Sequence, residues 1–352
     1  MSLASLLALG AEPTGARAAR IRHSPQHVDG RFRNAGGAIP SGEPAVSAFA
    51  EWRGRGAARP DAVIPVVRPD FADRPADGLH AVWLGHAAVL VEMQRRRVLI
   101  DPIFSDRCSP VGFTGPRRLH PSPLPLADLP EIDAIVISHD HYDHLDLPSI
   151  VALTRRHAAP FLVPLGVGAH LERWGVPPDR IIELDWHESA RVAGLTFTAT
   201  PAHHFSGRGL TRDRTLWASW VIAGGERKVF YTGDSGYFAG YADIGRDHGP
   251  FDLTLMQVGA YSHGWPDIHM TPEQGLRAHH DVRGGLLLPV HWATFRLAFH
   301  SWAEPVQRLA AAAASDAVSL VAPRPGERLD VDAPPRLDAW WDALVPAGLT
   351  AR

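Results

Sequence analysis

The stretch "IVISHDHYDHLDLP", residues 135–148, decides how the rest of the chain is read. An apolar run ends abruptly on His139, His141, Asp143 and His144. Packed together without a partner, these side chains would repel and desolvate one another. The alternate residues His139 and His141 can point into one site, and the adjacent pair Asp143–His144 can turn toward a neighbouring one. The spacing therefore predicts a bound cation. Imidazole and carboxylate suit zinc, manganese, iron or nickel, and no thiolate is offered.

The same pattern recurs along the chain. His203 and His204 follow "LTFTATPA", Asp234 follows "VFYTG", and His291 follows "LLLPV". Each apolar run of strand length leads into a side chain that can bind metal. In α/β sheets such residues collect beyond the carboxyl ends of strands, so segments 150 positions apart can converge. So many candidates exceed one tetrahedral site, which favours two ions about 3.5–4 Å apart. Asp234, alone on its strand end, is the natural bridge between them.

Bulk properties set the limits. The chain has 352 residues, 45% hydrophobic and 21% charged, with ample material for a core. A formal charge of −3 gives no basic footprint for nucleic acid. The single cysteine, Cys108, excludes a disulfide framework within the chain and fits a reducing compartment, so a cytoplasmic location is expected. No run reaches the roughly 18–20 apolar residues of a membrane span. The 20 histidines are more than structure alone usually asks for.

Three regions are expected. Residues 1–78 read as an arm, partly extended and packed on the core, with one short helix around 45–53. Residues 79–330 alternate short apolar strands with helices, an α/β pattern. Asp146 with Pro148 opens one helix, and Thr271-Pro-Glu-Gln274 is a capping box for another. Ser301-x-x-Glu304 reads as a second box, before an Ala-rich helix. Residues 331–352 form an extension, read as a short helix through the stripe Leu337, Trp340, Trp341, Leu344 and Val345.

"SHDHYDHLD", "TPAHHF", "YTGDSGY" and "PVHWATF" together resemble the metallo-β-lactamase superfamily. The segments "DGRFRN" (29–34), "WLGHAAVLVEM" (83–93), "DPIFSDRCSP" (101–110), "GPRRLHPSP" (115–123), "IIELDW" (181–186), "GPFDL" (249–253) and "GAY" (259–261) narrow the likeness to the N-acylphosphatidylethanolamine-hydrolysing phospholipase D branch. The resemblance covers about residues 28–328. It implies a four-layer αββα sandwich of two mixed sheets with outer helices, and a dinuclear zinc centre, with Mn2+ or Fe2+ as alternatives. Carried onto this sequence, His139, His141 and His204 hold one zinc, Asp143, His144 and His291 the other, and Asp234 bridges. The register TP-x-x-H selects His204 over His203.

Tyr142 and His269 match substrate contacts of the family, while Asp101 and His86 fit positions that orient the ligands. The expected reaction is hydrolysis of a phosphodiester by solvent activated between the metals. Asp143 would accept the proton, and His269 would bind the phosphate or assist the leaving group. A phospholipid substrate would give phosphatidate and an N-acylethanolamine, with Phe205, Trp265, Trp292 and Phe295 along an acyl path. A lactonase or a small-molecule phosphodiesterase on the same site is the alternative. A homodimer and peripheral contact with the inner membrane are compatible with the resemblance, and composition demonstrates neither.

The likeness is not uniform. Ala35-Gly36-Gly37 stands where animal members carry a Trp/Pro-rich segment, and the C-terminal extension continues past the family's usual stop.

Overall fold

Apolar residues alternate between two destinations along the central strands. In β3 (Leu79–Gly85), β4 (Ala88–Met93) and β5 (Arg96–Ile100), the side chains of Ala81, Trp83, Val89, Val91, Val98 and Ile100 face one core, and Val82, Leu84, Leu90 and Leu99 face another. Strands buried on both faces need cover on both, which dictates layers. The computed structural model describes residues 3–37, 59–71, 78–209 and 211–345. The helix expected around 45–53 lies outside the described residues.

Two seven-stranded mixed sheets supply the inner layers. The first runs β16 (Arg328–Asp330), β3, β4, β5, β6 (Ala134–Val136), β7 (Phe161–Pro164), β8 (Ile181–Leu184). The second runs β15 (Ser319–Leu320), β14 (Gly284–Val290), β13 (Phe251–Gln257), β12 (Arg227–Tyr231), β11 (Ser219–Gly224), β10 (Leu195–Thr200), β9 (Ser189–Val192). A hairpin of β1 (His27–Val28) and β2 (Arg31–Phe32) stands apart from both. The larger core fills the space between the sheets. The smaller one lies between the first sheet and α3 (Leu147–Arg156) and α4 (Gly168–Arg173), through Ile150, Leu153 and Leu171. Helices α5 (Gly240–His248), α6 (Pro272–Asp281) and α7 (Glu304–Ser315) belong to the second half, where Ile244, Leu276 and Leu309 join the larger core. This is the αββα architecture.

Strand direction positions the site. β5, β6, β7 and β8 are mutually parallel, and β3 shares their direction because β4 is antiparallel to both of its neighbours. β12, β13 and β14 are parallel, and β10 shares their direction across the antiparallel β11. Six carboxyl strand ends thus release His86 (after β3), Asp101 (β5), His139 (β6), His204 (β10), Asp234 (β12) and His291 (β14).

Local expectations meet the structure unevenly. Asp146 caps α3, accepting from the Ser149 amide, and Thr271 and Gln274 form both halves of the box on α6. The second box is a correction. Helix α7 starts at Glu304 after Ala303, which makes no side-chain cap, and only the reverse contact from Ser301 N to Glu304 survives, at 3.3 Å. The arm read as partly extended carries two helices, α1 (Leu3–Ala8) and α2 (Gly15–His23), that the sequence reading did not place. The C-terminal extension is not an α-helix where described. It makes one 3-10 turn, Asp342–Leu344, with Trp340 and Trp341 packed on Trp292. Pro334, Pro335 and Pro346 confine the segment to fewer residues than a helix needs to stand without tertiary support, and the Trp340 indole is tied to the Ala322 carbonyl at 2.9 Å.

Candidate metal centre

The strand ends deliver their side chains through tight backbone turns. His86, Asp101 and His291 adopt positive φ of 53°, 37° and 67°. This region is sparsely used by non-glycine residues, and its occurrence at one donor and at two residues that contact donors marks a site held by its surroundings. Gly233, before Asp234, has φ 59°, and a Cβ there would stand 2.8 Å from the Ala218 carbonyl oxygen. Only glycine lets Asp234 enter at that angle.

The donors fall into two sets that meet at Asp234. In one, His139 Nε2 lies 2.8 Å from His141 Nδ1, and His204 Nε2 lies 3.2 Å from the same atom. In the other, Asp143 Oδ2 lies 3.2 Å from His291 Nε2 and 3.4 Å from His144 Nε2. Asp234 Oδ2 is 3.1 Å from His144 Nε2, 3.2 Å from His291 Nε2, and 3.9 Å from both His139 Nε2 and His204 Nε2. The His203 ring instead faces Gly36 and Phe238.

Surrounding groups aim these donors. Asp101 accepts from His144 Nδ1 at 2.7 Å, from the Ser138 amide at 2.7 Å, and from the Ser138 and Tyr231 hydroxyls. Ser138 Oγ also meets His139 Nδ1 at 2.9 Å, and His204 Nδ1 donates to the Ile268 carbonyl at 3.0 Å. Fixing one ring nitrogen in this way directs the other into the site. His86 donates from Nε2 to Asp143 Oδ2 at 2.9 Å, and its own amide is held by Thr294 Oγ1, which His120 contacts in turn at 3.0 Å. Asp101 and His86 therefore contact His144 and Asp143 from behind. Ser138 and Tyr231 were assigned no role in the sequence reading, although each stands inside a quoted motif.

Charge follows geometry. Burial opposes ionisation of Asp143 and Asp234, yet the imidazolium of His144 first, and then other histidines, hold both well below the usual carboxylate range. Burial also opposes a proton on His144 and on His291, but Asp234 foremost among the carboxylates outweighs it, holding His144 well above its ordinary value and His291 at about 9. His139 and His204 are driven well below theirs by burial and by neighbouring imidazoles. Two ionised carboxylates thus draw positive charge to a spot also lined by the neutral imidazoles of His139 and His204, and a cation bound there would displace the protons of His144 and His291. Buried His144 Nε2 and Asp234 Oδ1 have no hydrogen-bond partner. The residues fit a divalent cation.

The two residues expected to meet substrate are placed differently. His269 is half-buried beside the donors, its Nδ1 3.9 Å from Asp234 Oδ2 and without a hydrogen-bond partner, and desolvation pushes its pKa down to about 3. Tyr142 turns its hydroxyl to the Arg208 carbonyl and lines a cavity of about 280 Å³ with Arg107, Val111 and Pro148. Of the expected acyl-path residues, Phe205 packs edge-on to His141 and tilted to His204, while Trp292 is a core residue between Trp83 and Trp340 and Phe295 is buried against His86.

Residues 96–292 match the family described as the beta-lactamase superfamily domain. An uncharacterized protein of Mycobacterium tuberculosis is 51% identical over 341 residues, spanning 95% of this chain and 91% of its own length. The N-acyl-phosphatidylethanolamine-hydrolyzing phospholipase D 1 of Caenorhabditis elegans is 36% identical over 248 residues, 67% of this chain and 70% of that one. Among solved structures, a metallo hydrolase from Ignicoccus hospitalis aligns with a TM-score of 0.56 at 22% identity, covering 71% of this chain and 97% of its own.

Proposed function

Because the chain belongs to the beta-lactamase superfamily, in its N-acylphosphatidylethanolamine-hydrolysing phospholipase D-like branch, and is by fold and donor set a metal-dependent hydrolase, we propose that it hydrolyses a phosphodiester. We assign it N-acylphosphatidylethanolamine as substrate, with N-acylethanolamine and phosphatidate as products. The observation that carries the reading is the meeting of two donor sets at Asp234 in a relative of that nematode enzyme.

His139, His141 and His204 would hold one cation and Asp143, His144 and His291 another, with Asp234 shared between them. When bound, a pair of zinc ions supplies Lewis-acid polarisation of the phosphoryl group and acidifies water. Water oxygen bonds to phosphorus as the bond to the ethanolamine oxygen breaks. The carboxylate of Asp143 takes the proton from water and returns it to the leaving oxygen. His86, held neutral because burial lowers its pKa to about 3, fixes the Asp143 rotamer through its Nε2–H bond. His269, neutral for the same reason, donates a hydrogen bond to a phosphoryl oxygen rather than a proton. Phe205, packed beside His141, offers an apolar face to the lipid.

Incubating the zinc-loaded protein with N-acylphosphatidylethanolamine, and separately with a panel of lactones, tests this reading. Mass spectrometry should find N-acylethanolamine and phosphatidate in equal amounts. Turnover confined to a lactone would overturn the assignment.

A further inference from the structure

Arg208 stands in the loop after β10, outside every motif used above, and is 4% exposed. Its Nη1 donates to the carbonyls of Asp140 at 2.6 Å and Leu145 at 2.8 Å. Those two carbonyls bracket the turn that carries His141, Asp143 and His144. Its Nε donates to the Ala8 carbonyl at 2.9 Å. The guanidinium carbon lies 4.1 Å from the ring centre of Tyr142 and 4.9 Å from that of Trp174. The N-terminal segment is pinned twice more, where Trp174 Nε1 donates to the Leu7 carbonyl at 2.7 Å and the Ala11 amide donates to His170 Nδ1 at 2.9 Å.

Burying a guanidinium is unfavourable unless its donors are taken up. Here Nη1 is taken up by main-chain carbonyls at both ends of the metal turn and Nε by the N-terminal segment. A residue that only anchored the arm would need the Ala8 contact alone. The turn itself is short and carries three donors, and coordination tolerates errors of only about 0.2 Å. One side chain bonded to both ends of the turn can hold it to that precision.

We propose that Arg208 is a positioning residue that fixes the His141–His144 turn and joins it to the segment Leu7–Ala11, so that retention of the bound cation depends on both. The inference rests on the metal centre and not on the phosphodiester chemistry.

The full chain carrying R208Q, R208K or Trp174→Phe is loaded with zinc and challenged with a chelator, alongside hydrogen–deuterium exchange. Zinc binding by the wild type is established first, since its failure would sink the metal centre itself. Removing a partner that orients ligands costs about 10–100-fold in metal affinity, so R208Q should release zinc faster by that order. Its added exchange should be confined to residues 139–145 and 7–11. R208K, which keeps the charge but offers one donor nitrogen in place of the guanidinium fork, should recover part of the retention, and Trp174→Phe should lie between R208Q and the wild type. Wild-type release from folded R208Q overturns the proposal, as does loosening throughout the chain that R208K does not relieve. Should R208Q fail to fold, Trp174→Phe decides: wild-type zinc release together with a loosened Leu7–Ala11 contradicts the coupling.

Discussion

Asp234 Oδ2 lies within 3.9 Å of nitrogens on five histidines, from His139, His144, His204, His269 and His291. Asp234→Asn keeps the shape and removes the charge that those imidazoles face. Metal content should fall, and turnover should drop by more than the about 10–100-fold that losing an orienting neighbour costs. Metal analysis and product assay on one preparation check this. His269→Ala separates a substrate contact from a ligand. It should lower turnover with metal still bound, and loss of metal would make His269 a ligand instead. At this scale the donors were legible because each ends an apolar run, a pattern one sequence displays. Arg208 and Tyr231 were not, since a lone arginine in a loop and a tyrosine within a strand look like any others until the fold brings their partners near.

Elements carry the placement of these side chains. The strand runs could be read because β-branched and apolar residues fill them and turn residues bound them. Helix α2 could not be read that way, because it is held by partners far along the chain: Arg17 pairs with Glu183 at 2.7 Å and with Glu172 at 2.8 Å, and Arg20 pairs with Glu188. The apparent box at Ser301 failed because matching residue types do not ensure that the chain turns there. The box at Thr271 did form, and it lies two residues beyond His269. Met270, between them, donates its amide to Gln257 Oε1 at 3.1 Å and to the Ser235 carbonyl at 3.0 Å. Thr271→Ala should therefore lower stability by about 0.5–2 kcal/mol and slow turnover by loosening the His269 loop, with metal content unchanged. Urea unfolding and metal analysis together read this out.

For the whole molecule, acid is the expected weakness. His120 and His279 lie outside the donor sets, and burial lowers each from 6.5 to about 4. Both are neutral when folded, and the unfolded chain binds protons more readily between those values. Their contribution is complete above pH 6.5 and is lost as pH falls toward 4. The urea midpoint should drop across that window, and His279→Gln should make the drop shallower. Nothing in the described residues is a helix long and apolar enough to cross a membrane. The layered sandwich brings strand ends of both sheets to one cluster of donors, and the proposed pair of cations there is the claim to test. Elemental analysis of the full chain and of Asp234→Asn, after equilibration with zinc and removal of free ions, measures it directly. About two zinc ions per wild-type chain are expected, the complement of a hydrolytic metal pair, with clearly fewer in the variant. A wild-type chain that emerges without metal, and stays so with manganese or iron, would contradict the metal centre and the hydrolysis built on it.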